Sequence, residues 1–83
     1  MRDVIKTMSG KYVYIDTCYT LDHGWETMVF ACDENGEVTS WADLDVEWYD
    51  TEEQAFIGHA DMINRWQNKI IRGRNLKCTK KDN

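Results

Sequence analysis

Two stretches near the start of the chain alternate in the manner of strands. Lys11 to Thr20 reads KYVYIDTCYT and Gly24 to Cys32 reads GWETMVFAC. Both are rich in the β-branched and aromatic residues that suit a pleated surface. LDHG between them has the composition of a tight turn, and the pair predicts an antiparallel hairpin. Setting Thr20 opposite Trp25 gathers Val13, Ile15 and Thr17 with Cys32, Phe30 and Met28 on one nearly apolar face. That segregation sets the expected register, because a slip of one residue exchanges the two faces. DENGE, with Asn35-Gly36 suited to positive φ, predicts the next turn. A third strand is then expected from Glu37 to about Ala42. Leu44, Val46 and Trp48 alternate with acids, so Asp43 to Asp50 reads either as a fourth short strand or as an extended crossing to a helix.

The helix signal is the clearest in the chain. Thr51 is suited to cap it, and Gln54 three residues on completes a capping-box pattern. Glu52 and Glu53 fall in the first turn, and Arg65, Lys69 and Arg72 fall late, each sign where the helix dipole favours it. Gly73 is a natural stop. The predicted helix runs from Glu52 to Arg72, with an apolar stripe of Ala55, Phe56, His59, Met62, Ile63, Trp66 and Ile70 at three- and four-residue spacing. It is expected to lie across the Val13, Ile15, Met28 and Phe30 side of the sheet, with Gly58 permitting a close approach. The fold class is therefore α+β: a three- or four-stranded antiparallel meander with one long C-terminal helix packed across one face.

Eighty-three residues bound this at one domain. Residues 1–10 are weakly patterned and read as a lead-in, 11–73 as the domain, and 74–83 as a basic flexible tail. The three cysteines are odd in number and widely spaced, which argues against a disulfide framework and for a reducing compartment. The N-terminus lacks the apolar stretch of a secretory signal, and no apolar run has the length of a membrane span. A cytoplasmic location with no membrane partner follows as the expectation.

Charge changes the picture more than composition does. Between Lys11 and Arg65 there are thirteen acidic residues and no Lys or Arg. Like charges without local neutralisation oppose folding by self-repulsion, whereas a sequence shaped only for folding intersperses the signs. Asp43, Asp45 and Glu47 alternate and would project to one side of an extended chain; Asp50, Glu52 and Glu53 would continue that patch onto the helix start. A solvated acidic face is the plain reading. The functional one is a field that attracts a basic groove built to hold a phosphate backbone. On that reading Asp43, Asp45, Glu47, Asp50, Glu52 and Glu53 are the partner-binding residues, with Trp48 as their anchor.

Other chemistry finds little support. His59 lies at the centre of the helix stripe, where a hydrogen-bonded core histidine is favoured over a ligand. Neither His23 nor the cysteines stand at metal-site spacing, so no metal and no cofactor are expected. Nucleophile and phosphate-loop motifs are lacking, and the chain is read as a non-enzyme with no catalytic residues. Arg65, Lys69 and Arg72, with Arg74, Lys77, Lys80 and Lys81, would suit phosphate contacts. The negative body opposes direct nucleic-acid binding, and dipole complementarity with a solubilising tail is the favoured account of them.

Glu26 to Phe30, Trp41 to Leu44, and Tyr49 with the following TEEQAFIGH resemble segments of short, functionally uncharacterised proteins from phages and prophages of Gram-positive bacteria. The resemblance covers about half the chain and leaves out the N-terminal lead and the tail. It implies a bacterial-host cytoplasm and raises the expectation of a counter-defence inhibitor, such as an anti-CRISPR protein or DNA mimic acting on a host nuclease or CRISPR effector. Two alternatives stand beside it: a self-associating phage structural protein, for instance a homodimer, and nucleic-acid binding through the tail.

Overall fold

The computed structural model describes residues 1–69. Four antiparallel strands, β1 (Arg2–Lys6), β2 (Tyr12–Thr20), β3 (Gly24–Cys32) and β4 (Asp45–Tyr49), lie in that order in one sheet. The helix α1 (Glu52–Gln67) crosses one face. This is the expected α+β meander. The tail 74–83 and the anticipated stop at Gly73 lie outside the described residues.

The hairpin register differs from the expected one by a residue. Thr20 pairs with Gly24, so Val13, Ile15 and Thr17 stand opposite Ala31, Val29 and Thr27. The connection is three residues, Leu21–His23, and Gly24 begins the ladder at φ +74°. That left-handed conformation is open to Gly at no steric cost. The shift exchanges the faces of β3. Val29 and Thr27 turn towards the helix, while Met28 and Phe30 turn away from it. Both sides of β3 are apolar, so segregation alone could not choose between them.

Residues 2–6 form an edge strand rather than a lead-in. Ile5 opposite Val13 belongs to the core, and charged Arg2 and Lys6 mark the edge. The strand expected from Glu37 to Ala42 shrinks to one bridge between Val38 and Cys32, made by the bonds from Thr39 N–H to Ala31 O and from Asp33 N–H to Glu37 O. β4 then takes the same lane beside β3, one stretch further along. Between them the 33–44 segment leaves the lane and partly roofs the helix-free face. Gly36, at φ +86°, sits so close to Val4 of β1 that a Cβ there would lie 3.0 Å from Val4 Cγ2, and Trp41 packs edge-on against Phe30 at 5.1 Å. This roof leaves Phe30 and Cys32 buried on the face without a helix.

The core lies between sheet and helix: Ile5, Val13, Ile15 and Val29 against Met62 and Trp66, with Ile63 at its margin. Thr51 caps α1, its Oγ1 accepting from Gln54 N–H at 3.1 Å, while the Gln54 side chain accepts from Asp50 N–H at 3.0 Å. The buried helix positions are Ala55, Gly58, His59, Met62 and Trp66. Phe56, expected in this stripe, is 51% exposed, about 100° around the helix from Ala55, and Gly58 takes its place. A Cβ at Gly58 would overlap the ring of Tyr49, so its missing side chain lets the helix settle on β4. The helix ends at Gln67, short of Arg72. Asn68 caps it, donating from its amide to Asn64 O at 2.9 Å, the local competition that ends helices at such residues.

Candidate binding surface

The seven residues expected to bind a partner fall into three groups, and strand alternation is the reason. Asp45 and Glu47 do share one side of β4, but it is the helix side. Arg65 donates to Asp45 Oδ2 at 3.0 Å and to Glu47 Oε2 at 3.1 Å. The buried Trp66 indole N–H also donates to Asp45 Oδ2, at 3.1 Å. The hydrogen bonds that Glu47, then Asp45, accept from Arg65 push its pKa further up, against the opposing effect of burial. These two carboxylates therefore hold α1 on β4 and have their countercharge inside the fold.

Trp48 lies between them in sequence and points the other way, 58% exposed. Its indole N–H donates to Glu26 Oε2 of the neighbouring strand at 2.9 Å. Trp41, 72% exposed, stands on the same face over Phe30. Phe30, beneath Trp41, and Glu26, opposite Trp48, stand four positions apart on β3, about 13 Å along the strand. Half-buried Met28 and Val46 lie between. Glu26 and Asp16 flank this aromatic strip on the sheet. Asp16 has only a 3.5 Å contact to the largely exposed Arg2, and such a pair contributes little in water.

Asp43 lies in the roof segment beside Trp41, exposed. Asp50, Glu52 and Glu53 are exposed at the far end of β4 and the start of α1. None of these four forms an ion pair among the described residues. Glu52 and Glu53 complement the helix dipole. The acidic residues thus do not make a single strip: Asp43 and Asp50 each follow an exposed tryptophan by two residues, while Glu52 and Glu53 stand on the helix. The tryptophans' exposure has a sequence signal. Four Trp and four Tyr exceed what one small core can enclose, and Trp48 has the opposite strand parity to Asp45 and Glu47.

Beneath the helix lies a second polar group. Asp3 Oδ2 is 2.7 Å from His59 Nε2, His59 Nδ1 is 2.6 Å from Thr17 Oγ1, and Thr17 Oγ1 is 2.5 Å from Thr27 Oγ1. A carboxylate, an imidazole and a hydroxyl in line can activate a nucleophile. Here Thr17 and Thr27 are 2% and 0% exposed and His59 is 4% exposed. The hydroxyl at the end of the line is sealed in the core, where it satisfies its neighbours. His59 is thus a core histidine joining β1 and β2 to α1, as its place in the stripe suggested.

Burial raises the pKa of Cys32, with Asp33 adding to it, and burial followed by Asp16 and Glu26 raises that of Cys18. Cys78 and the basic residues from Arg72 onward lie outside the described residues. Among those described, no group of three His, Cys, Asp or Glu is placed to hold a metal, and no helix is long and apolar enough to cross a membrane. Comparison with protein-family models, curated proteins and solved structures returns no match.

Proposed function

We propose that the chain is a non-enzymatic binding protein that docks on a basic protein surface through its helix-free face. Trp41 and Trp48 are the anchors; Asp43, Asp50, Glu52 and Glu53 supply the field, helped by Glu26 and Asp16. The observation that carries this reading is the pair of exposed indoles on one face, flanked by carboxylates without internal countercharge. Exposed large aromatics are costly in solvent and are typical of interface centres. Carboxylates around them steer a basic partner and set its orientation. A nucleic-acid groove of a host nuclease fits this chemistry, and the resemblance to short phage proteins makes a CRISPR effector the first candidate. Asp45 and Glu47 act indirectly, by fixing the helix against the strand that carries Trp48.

The test is capture of a nucleic-acid-binding protein from bacterial lysate at low and high salt, followed by competition with duplex DNA. Binding is expected to weaken with salt and with DNA. It is expected to be lost in Trp41→Ala/Trp48→Ala and in Asp43→Lys/Asp50→Lys/Glu52→Lys/Glu53→Lys. Full retention in both variants would refute the reading. The alternative, self-association, is favoured by Phe56 and Ile57, 51% and 62% exposed on the helix. Light scattering separates them, since a stable dimer abolished by Phe56→Ser/Ile57→Ser would place the interface there.

A further inference from the structure

At the end of the sheet where β2 begins and β3 finishes, a cleft of about 550 Å³ opens between the last turn of α1 and the roof segment. This is within the range of roughly 300–1,000 Å³ typical of small-molecule sites. Val13, Ala31, Leu44 and Trp66 give it an apolar lining, and the charged groups that line it are two ammonium groups, those of Lys11 and Lys69. Neither lysine forms an ion pair among the described residues. Lys69 Nζ stands 4.3 Å from the centroid of the Trp66 ring, which holds the ammonium at the cleft. Tyr12 and Thr39 add hydroxyls to the lining; the Trp66 indole N–H is already taken by Asp45, and Asp45 by Arg65, so the lysines are the charged groups left to meet an occupant.

Two cations without an ion pair among the described residues, beside one apolar cavity, stand out in a chain of net charge −5. We infer that this cleft is a binding site for a small amphipathic anion: an apolar body that lies on Val13, Ala31, Leu44 and Trp66, and a single acidic head group held between Lys11 and Lys69. Charge selects this occupant over the chain's own C-terminal residues. Ile70, Ile71 and Leu76 could supply apolar contacts, but they are accompanied by Arg72, Arg74, Lys77, Lys80 and Lys81, which two ammonium groups would repel. The site is separate from the Trp41–Trp48 surface and does not depend on the function proposed for it.

The experiment is titration of the full chain, followed by amide chemical shifts, with three ten-carbon probes below their micelle concentrations: decanoate, decanol and decyltrimethylammonium. Decanoate is expected to give saturable shifts centred on Val13, Ala31 and Leu44, with decanol binding at least tenfold more weakly and the cationic probe not at all. Lys11→Met/Lys69→Met should erase the preference for decanoate while the far-UV spectrum stays native. Lys11→Glu/Lys69→Glu should abolish decanoate binding. Four outcomes overturn the inference. These are no saturable shift, equal binding of the three probes, shifts centred on Trp41 and Trp48, or binding seen only when the chain is truncated after Lys69. The last would assign the cleft to the chain's own tail.

Discussion

The two faces of the sheet use the same kinds of residue to opposite ends. On the helix side, acids, a histidine and an indole are buried or half-buried and matched: Asp45 and Glu47 with Arg65, Trp66 with Asp45, His59 with Asp3 and Thr17. On the other side, acids and indoles are left largely to solvent. Trp48 and Trp66 make the comparison sharpest. Each donates its N–H to a carboxylate of the preceding element, 22 and 21 residues back, yet one is 58% exposed and the other 5%. A carboxylate's neighbours in space, more than its neighbours in sequence, decide whether it stabilises the fold or remains available to a partner.

The comparison breaks most visibly in the core. Met62→Ala empties a fully buried site and is expected to cost about 2–5 kcal/mol, measured as a lowered urea midpoint at unchanged slope. Gly58→Ala comes next. Ala gains up to about 1 kcal/mol of helix propensity over Gly. The new methyl must displace the Tyr49 ring, and such overpacking costs about 1–3 kcal/mol, so a net loss is expected. Asp45→Ala strands the buried Trp66 N–H and removes a partner of Arg65, a loss of about 1–3 kcal/mol. Asp43→Ala, two residues away, should change stability by no more than about 0.5 kcal/mol. If the two aspartates respond alike, the division between internal and external acids fails.

On the open face, Trp41→Ala/Trp48→Ala should leave stability within about 1 kcal/mol while removing partner binding. The smallest effect concerns the thiols. Raised pKa values mean less thiolate at neutral pH, so Cys18 and Cys32 should alkylate more slowly than free cysteine at pH 7 and gain rate only as pH rises past the usual thiol range. Glu26→Gln should quicken Cys18 alone, read site by site by mass spectrometry.

The helix was legible because its signals are local. Thr51, Gln54 and the first-turn acids lie within a few residues of one another and name the start. The end was not, because Asn68 stops the helix through its own side chain before Lys69, Arg72 and Gly73, which with Arg65 seemed to mark it. β1 escaped because an edge strand carries charges by design, and RDVIK has them at three of five positions. The register of β3 escaped because Met28, Phe30 and Cys32 are as apolar as Val29 and Ala31. Only the positive φ of Gly24 decides between them. For the site, alternation was expected to put Asp43, Asp45 and Glu47 on one side with Trp48 as their anchor; the structure keeps Asp45 and Glu47 together, leaves Asp43 in the roof segment and turns Trp48 to the opposite face. Which side faced the helix needed Arg65, eighteen residues beyond Glu47.

Asp3 sits on an outer strand, and outer strands are ordinarily the first part of a sheet to peel away. Here the strand is buttoned to the last helix through His59, across 56 positions of sequence. Shedding β1 therefore means loosening α1, and exchange of their amides with deuterium should follow a common rate. A copy trying to lend its β1 to a neighbour would have to open its own helix first. That clasp is expected to oppose strand trading between copies of this chain.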